Sequence, residues 1–328
     1  MSQFLSNCTA DAVASAAMHL IAGDLVAFPT ETVYGLGADA TNLHAVSRIY
    51  SVKGRPNDHP LIVHIASMDR MGDWASDVSE YAIALARSFW PGPMTLVLKR
   101  SELADDFVTG GQDTVGVRVP DHVVALALLE AFEKEGGKGI AAPSANRFGH
   151  VSPTTAAAVV EELADYLSKD DLVLDGGACA VGVESTIIDC TGLRPRVLRP
   201  GAITTKMIEE SVDLKVAKNV FGTEIRVSGS LDIHYAPKAN VILDAIPNKG
   251  DGFMATIDIE TPINVLRLAS PVDNKEFANI LYATLRLADQ LKLENIVIIQ
   301  PHGNDLAIAI RDRLKRASAR ETENKAIL

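Results

Sequence analysis

The sequence predicts an α/β fold in two unequal units joined by a linker, and three observations carry that prediction. Over the first 205 or so residues, apolar runs of strand length alternate with segments whose apolar residues recur at helical spacing, the pattern of a twisted, mixed sheet covered by helices. From Thr205 to Ala236 the periodicity fades after one short helix. It then returns as the strand-like runs NVILD, FMATIDI, NVLRLA and NIVIIQ with two helical patterns, a unit of roughly 90 residues. The expected division is 1–206, a linker over 207–238, and a smaller α/β unit over 239–328.

Each element follows from a local signal. Small and apolar residues at helical spacing run from Ala10 to Ile21, and Gly23 stands as a stop before the strand LVAF. Asn42 opens a helix to Val52, Leu61 to Ile65 is a buried strand, and Ser79 caps an amphipathic helix ended by Pro91. The cluster WPGP forces a tight turn into a strand from Met94, a structural role. VGVRVP alternates as a strand carrying Arg118, which on pattern alone is an exposed-face residue. A helix from His122 to about Lys134 leads to the strand and turn of GIAAPSAN. Ser152 and Pro153 are expected to open the helix through VVEELADYL. VLDGG is a strand and turn, GVESTIIDCTG a strand carrying Glu184, Ser185 and Thr186, and VLRPGAIT brings Arg199 to a Pro-Gly turn. Asp273 to Leu291 and Asn304 to Ala317 are the helices of the tail.

Composition narrows the function. With 47% apolar and 22% charged residues the chain reads as soluble and globular. A formal net charge of -11 argues against a general polyanion binder, so any phosphate site must be a local basic pocket. The opening MSQFLSNCTADAV lacks the basic start and apolar core of a signal peptide, and no apolar run reaches membrane-spanning length. Cys8, Cys179 and Cys190 show no CxxC spacing and indicate neither a disulfide framework nor a zinc site. The expectation is a cytoplasmic protein without a membrane partner.

The most site-like stretch is Phe28 to Ile65, which sets threonines, a carboxylate, glycines, cations and histidines between apolar runs. Pro56 restricts the residue before it to extended geometry, so KGRP is expected as an extended segment with Lys53 and Arg55 on one face, suited to phosphate oxygens. For a KxR taken alone, a solvated basic turn is the commoner reading; the buried strand LIVHI behind it favours a functional loop. The same spacing argument places Ser144 and Asn146 on one face, although a lone SAN is more often a turn maker. GLGADA imitates a dinucleotide-binding fingerprint with Asp58 as its distant acid, but TETVY intervenes after the strand and the next helix opens later, so the glycines are expected to turn the chain sharply.

FPTETVYGLGADA, KxRP…PLIVHI, WPGP, VxVRVP, APSAN…SP, DGG…GVESTI and LRPG, in this order, resemble the YrdC family, and HYAP followed by an α/β tail is similar to its two-domain form. The resemblance covers nearly all of residues 10–205. It implies a YrdC-like domain with a central cleft and a Rossmann-like C-terminal unit. It also implies that L-threonine, bicarbonate and ATP become threonylcarbamoyl-AMP and pyrophosphate, the first step toward threonylcarbamoyladenosine in tRNA. The KxR and SxN pairs of the family fall on Lys53, Arg55, Ser144 and Asn146 as catalytic residues. Its threonine pocket corresponds to Thr32, His64, Arg118, the backbone of Ala142, and Ser185. Its nucleotide contacts correspond to Arg55, His59, Thr114, Ser144, Ser152 and Arg199, with Tyr235 lying over the site from the linker beside His234. Mg²⁺ is expected with ATP, no protein metal ligand is assigned, and the product passes to the machinery that transfers threonylcarbamoyl groups to tRNA.

This chain departs from the family in two places. The run before HYAP, usually close to SPGMKYR, is here SGSLDI, and the segment IPNKGDG after NVILD is too short for the helix expected there. Two other activities share the fold. A duplex-RNA binding module would use a concave basic face, which the charge of -11 weighs against. A carbamoyl-transfer domain of the hydrogenase-maturation type would bring acylphosphatase-like and zinc-finger partner domains absent from this sequence.

Overall fold

The computed structural model describes residues 4–217, 225–229 and 235–325. Its larger sheet runs, in spatial order, Leu5–Asn7, Leu172–Asp175, Val26–Phe28, Gly35–Asp39, Ile140–Ala141, Ile62–His64, Thr114–Arg118, Met94–Arg100, Thr186–Asp189 and Arg196–Arg199. Parallel and antiparallel pairs are interspersed, as where Ile62–His64 runs parallel to Thr114–Arg118 but antiparallel to Ile140–Ala141. Alternation along each strand supplies two buried faces. Val26 and Phe28 pack with Leu20 and Leu128 from the helices Ala10–Ala22 and Val123–Lys134, whereas Leu25 and Ala27 join a separate cluster with Val46, Ile49 and Trp74. Each fully buried aliphatic or aromatic side chain contributes about 1.5–3 kcal/mol relative to exposure.

The smaller sheet, in the order Asn240–Leu243, Asn295–Ile298, Gly252–Met254 and Leu266–Ala269, is parallel throughout. Parallel neighbours need crossover connections, and the helix Asn274–Gln290, capped by the Asp273 side chain on the Glu276 amide, supplies one. The helix Leu306–Lys325 closes the unit. Its core does not stop at its own boundary. Phe277, Leu281 and Leu314 belong to one buried cluster with Val33, Val151 and Val183 of the larger unit and Tyr235 of the linker. Residues 244–251 hold no helix, in keeping with the shortness of IPNKGDG.

Five local expectations are corrected. GLGADA is not a sharp turn: Gly35–Asp39 is a strand paired antiparallel with Val26–Phe28. Its glycines serve close packing, since a Cβ on Gly37 would lie 2.8 Å from Ile140 and 2.9 Å from Phe28. KGR is not one extended segment. Lys53 is the last residue of the helix Leu43–Lys53, Gly54 takes the left-handed C-terminal position at φ 62°, and Pro56 acts on Arg55 alone. The helix assigned to Ser152 and Pro153 begins at Ala156, because Thr155 is the residue whose side chain caps it, on the Ala158 amide. Glu184 and Ser185 precede the strand Thr186–Asp189 rather than lying in it. FMATIDI is a strand only through Met254, after which the chain turns.

Candidate functional site

A cleft opens where the loops after several strands meet, and it draws its walls from sites far apart in sequence. Thr32, Arg55, His64, Arg118, Ala142, Ser144, Ser185, Arg199 and Tyr235, named from the sequence, all line it. Lys53, His59, Thr114, Asn146 and Ser152 do not. His234 lies outside the described residues.

One part of the cleft is organised around Arg118, at the end of the strand Thr114–Arg118. Its guanidinium donates to Thr32 Oγ1 at 3.0 Å and, through Nε, to the Gly92 carbonyl at 3.3 Å. Thus WPGP, beyond making a turn, orients the arginine. Nη2 also lies 2.6 Å from Glu31 Oε2, an ion contact without hydrogen-bond alignment between side chains 5% and 7% exposed. Arg118 is therefore a buried cation, not an exposed-face residue, and Glu31 compensates its charge. His64, beside it in register, is pushed down to about 3 by burial and by the Arg118 charge, so its ring is neutral at physiological pH. Its Nδ1 is buried and has no hydrogen-bond partner among the described residues.

A second part gathers around Arg55 and Arg199. Arg199 donates to the Ser185 carbonyl through Nε at 3.1 Å and Nη2 at 2.9 Å, and through Nη1 to the Ser228 carbonyl at 2.9 Å. Arg55 donates to Ser228 Oγ at 3.1 Å, and burial pushes it down to about 10, still charged at neutral pH. One linker residue thus meets both guanidiniums. The segment around it is tied down where Gln112 and Arg226 exchange hydrogen bonds of 3.0 and 2.7 Å. Thr114 lies by that tie, in an adjoining pocket lined also by Gln112 and Ser228, and His59 meets Phe148 edge to face at 5.4 Å, on the ring that Arg55 also approaches.

Lys53 and Asn146 stand behind the wall. Lys53 Nζ donates to the carbonyls of Ser144 and Asn146, and burial, with the Arg55 charge, holds its ammonium well below its ordinary range. Asn146 donates to the carbonyls of Arg147 and His150 at 2.7 and 2.9 Å, so of the SxN pair only Ser144 reaches the cleft. The cation of the helix end thereby fixes the loop that presents Ser144.

Sequence reasoning named Glu184 as a strand residue and, of its partners, only Ser152. Its carboxylate accepts from Ser152 Oγ at 2.7 Å, Tyr282 OH at 2.8 Å and Arg313 Nε at 2.8 Å. Burial works to raise it, but Arg313, Arg199 and Ser152 outweigh that and bring it down to about 2. Glu31, Ser228, Tyr282 and Arg313 were not singled out from the sequence. The carboxylate of TET was the one available signal; RDR in a helix has the pattern of a solvated face.

A family model described as telomere recombination (Sua5, YciO and YrdC) matches residues 19–201, and one described as the C-terminal domain of threonylcarbamoyl-AMP synthase matches residues 203–319. The threonylcarbamoyl-AMP synthase of Pyrococcus abyssi is 40% identical over 317 residues, 90% of this chain and 91% of that protein. That of Bacillus subtilis is 37% identical over 327 residues, 93% and 92% of the two chains. The structure is similar to that of P. abyssi Sua5 complexed with L-threonine, with a TM-score of 0.84 and 37% identity over 96% of this chain and 97% of that one.

Proposed function

The chain belongs to the Sua5/YciO/YrdC family in its two-domain form, and on that premise we propose that it is an L-threonylcarbamoyladenylate synthase. Its reaction joins L-threonine, bicarbonate and ATP into threonylcarbamoyl-AMP with release of pyrophosphate and water. The observation that carries the reading is the convergence of Arg55, Arg118 and Arg199 with Thr32, Ser144 and Ser185 on the walls of one cleft.

In this reading the threonine amine takes up the carbon of bicarbonate, with loss of water, to give a carbamate. A carbamate oxygen then attacks the α-phosphorus of ATP, and the bond to the oxygen bridging to the β-phosphorus breaks. Arg118 receives the amino-acid carboxylate, with the Thr32 and Ser185 hydroxyls and the neutral His64 ring around the rest. Arg55 and Arg199 meet the phosphates, whose oxygens take over the donors now held by Ser228. Lys53 serves the site through the Ser144 loop that it anchors. Rate enhancement of this kind comes from placement and electrostatics and needs no protein nucleophile.

Mg²⁺ would accompany the triphosphate. Among the described residues, Glu184 is the one carboxylate lining the cleft and is committed to Ser152, Tyr282 and Arg313, and no group of three His, Cys, Asp or Glu side chains could hold a metal ion. No helix among the described residues is long and apolar enough to cross a membrane. The product is an activated mixed anhydride, so the next reaction is an acyl transfer, here to tRNA.

Pyrophosphate release tests the reading. Incubation with MgATP and bicarbonate should release pyrophosphate only when L-threonine is added; release independent of threonine rejects it.

A further inference from the structure

We propose that Arg313 and Tyr282, both from the smaller unit, are positioning residues for the nucleotide side of the cleft, acting through Glu184, Pro200 and Tyr235. The proposal rests on the synthase reading for the identity of the nucleotide.

Arg313 sits on the last helix with a side chain 0% exposed. Its fork makes three bonds in three directions: Nε to Glu184 Oε2 at 2.8 Å, Nη2 to the Pro200 carbonyl at 3.0 Å, and Nη1 to Asp312 Oδ2 at 2.6 Å. Glu184 precedes Ser185 and Pro200 follows Arg199, and those two neighbours are themselves bonded. One rigid guanidinium from the second unit therefore holds Arg199 in place, gripping the adjoining Pro200 carbonyl and the Glu184 carboxylate that flanks the Ser185 carbonyl to which Arg199 donates. The same guanidinium stands 5.4 Å from the centre of the Tyr235 ring, on which the ring of Tyr282 stacks at 5.6 Å. Tyr282 donates its hydroxyl to the oxygen of Glu184 that Arg313 also holds.

Adhesion between the units does not call for this arrangement. Val33, Val151, Val183 and Leu281 already share an apolar core, and a buried ion pair is commonly no more stabilising than apolar packing of the same volume. What the charges add is directed geometry. Tyr235 supports the point: its backbone adopts φ 64°, a left-handed conformation that is unfavourable for a bulky side chain and persists only where the surroundings impose it. Arg313 and Tyr282 are part of those surroundings.

The test uses the full chain with Arg313→Lys, which keeps the charge but loses the fork, and Tyr282→Phe, which keeps the ring but loses the hydroxyl. Calorimetric titration with α,β-methylene-ATP reads nucleotide binding without turnover, and titration with L-threonine is the comparison. Losing bonds to a buried charge should weaken the analogue about 10-fold or more in Arg313→Lys and about 3- to 10-fold in Tyr282→Phe. Threonine affinity should fall by less than half as much in each, and the ATP KM for pyrophosphate release should rise more than the threonine KM. Analogue affinity that is unchanged, or that falls in step with threonine affinity as a general loosening would produce, overturns the proposal. Should Arg313→Lys fail to fold, Tyr282→Phe decides by itself. Failure of the synthase reading looks different: a wild-type chain that binds the analogue yet releases no pyrophosphate with threonine.

Discussion

The Glu31–Arg118 pair makes the proposed threonine pocket testable without confusing binding with folding. Both side chains are nearly sealed from solvent, at 7% and 5% exposure, and their charged atoms lie 2.6 Å apart. Arg118→Met would leave Glu31 as an uncompensated buried carboxylate, a loss of about 3–5 kcal/mol. Adding Glu31→Gln removes the stranded charge, and most of that stability should return, because replacing both partners is far less costly than removing one. Threonine binding should not return with it. The amino-acid carboxylate loses a charge-assisted donor in the single and double variants alike, about 1.5–3 kcal/mol or 10- to 100-fold in affinity. Glu31→Gln alone, which leaves the arginine free of its internal carboxylate, should still bind threonine. Urea unfolding and calorimetric titration with L-threonine measure the two quantities on the same samples. A double variant that binds threonine like the wild type would refute the assignment of Arg118, and a double variant no more stable than Arg118→Met would refute the electrostatic account of the pair.

Three further outcomes follow from the geometry. Gly37→Ala forces a methyl to within 2.8 Å of Ile140 and 2.9 Å of Phe28 and should destabilise the chain by about 1–3 kcal/mol; an unchanged urea midpoint contradicts the close-packing role of that glycine. Lys53→Met leaves the buried carbonyl of Asn146 and the half-buried carbonyl of Ser144 without their donor, at about 1–3 kcal/mol for the buried one, and should lower turnover as the Ser144 loop loosens; an unaltered rate removes Lys53 from the support of the cleft. His64, ordinarily near 6.5, is held near 3 by burial and by Arg118, so the unfolded chain protonates first. Its contribution to stability is complete above pH 6.5 and is lost as pH falls toward 3. Between pH 6.5 and 5 the urea midpoint should therefore drop with acidification, and less steeply in His64→Gln. His59 and His122, also lowered by burial, add to the same limb, so the difference between variants is the measurement, and identical slopes would refute the shift.

Much of the architecture was legible in the chain because its signals are local. Asn42, Ser79 and Asp273 cap helices with side chains that reach amides two or three residues on, and each is recognisable from its neighbours. Pro56 misled in an instructive way. Its influence is real but extends to one residue, and the helix end at Lys53 was decided by Gly54. The glycines of GLGADA misled for the opposite reason: glycine is also selected by what packs against it, and Ile140 and Phe28 are invisible from residue 37.

What the sequence determined by itself is everything governed by neighbours along the chain: the α/β alternation, the break in it after Thr205, the caps, and the ordered motifs that mark the family. The tertiary structure decided which charges are buried and what they face. Arg118 and Thr32 are 86 residues apart, Arg199 and Ser228 are 29 apart, and Arg313 and Glu184 are 129 apart. Whether an arginine is a solvated ornament or a buried clamp depends on the loss of water around it and on the partner that replaces that water, and both are supplied by chain that only folding brings near.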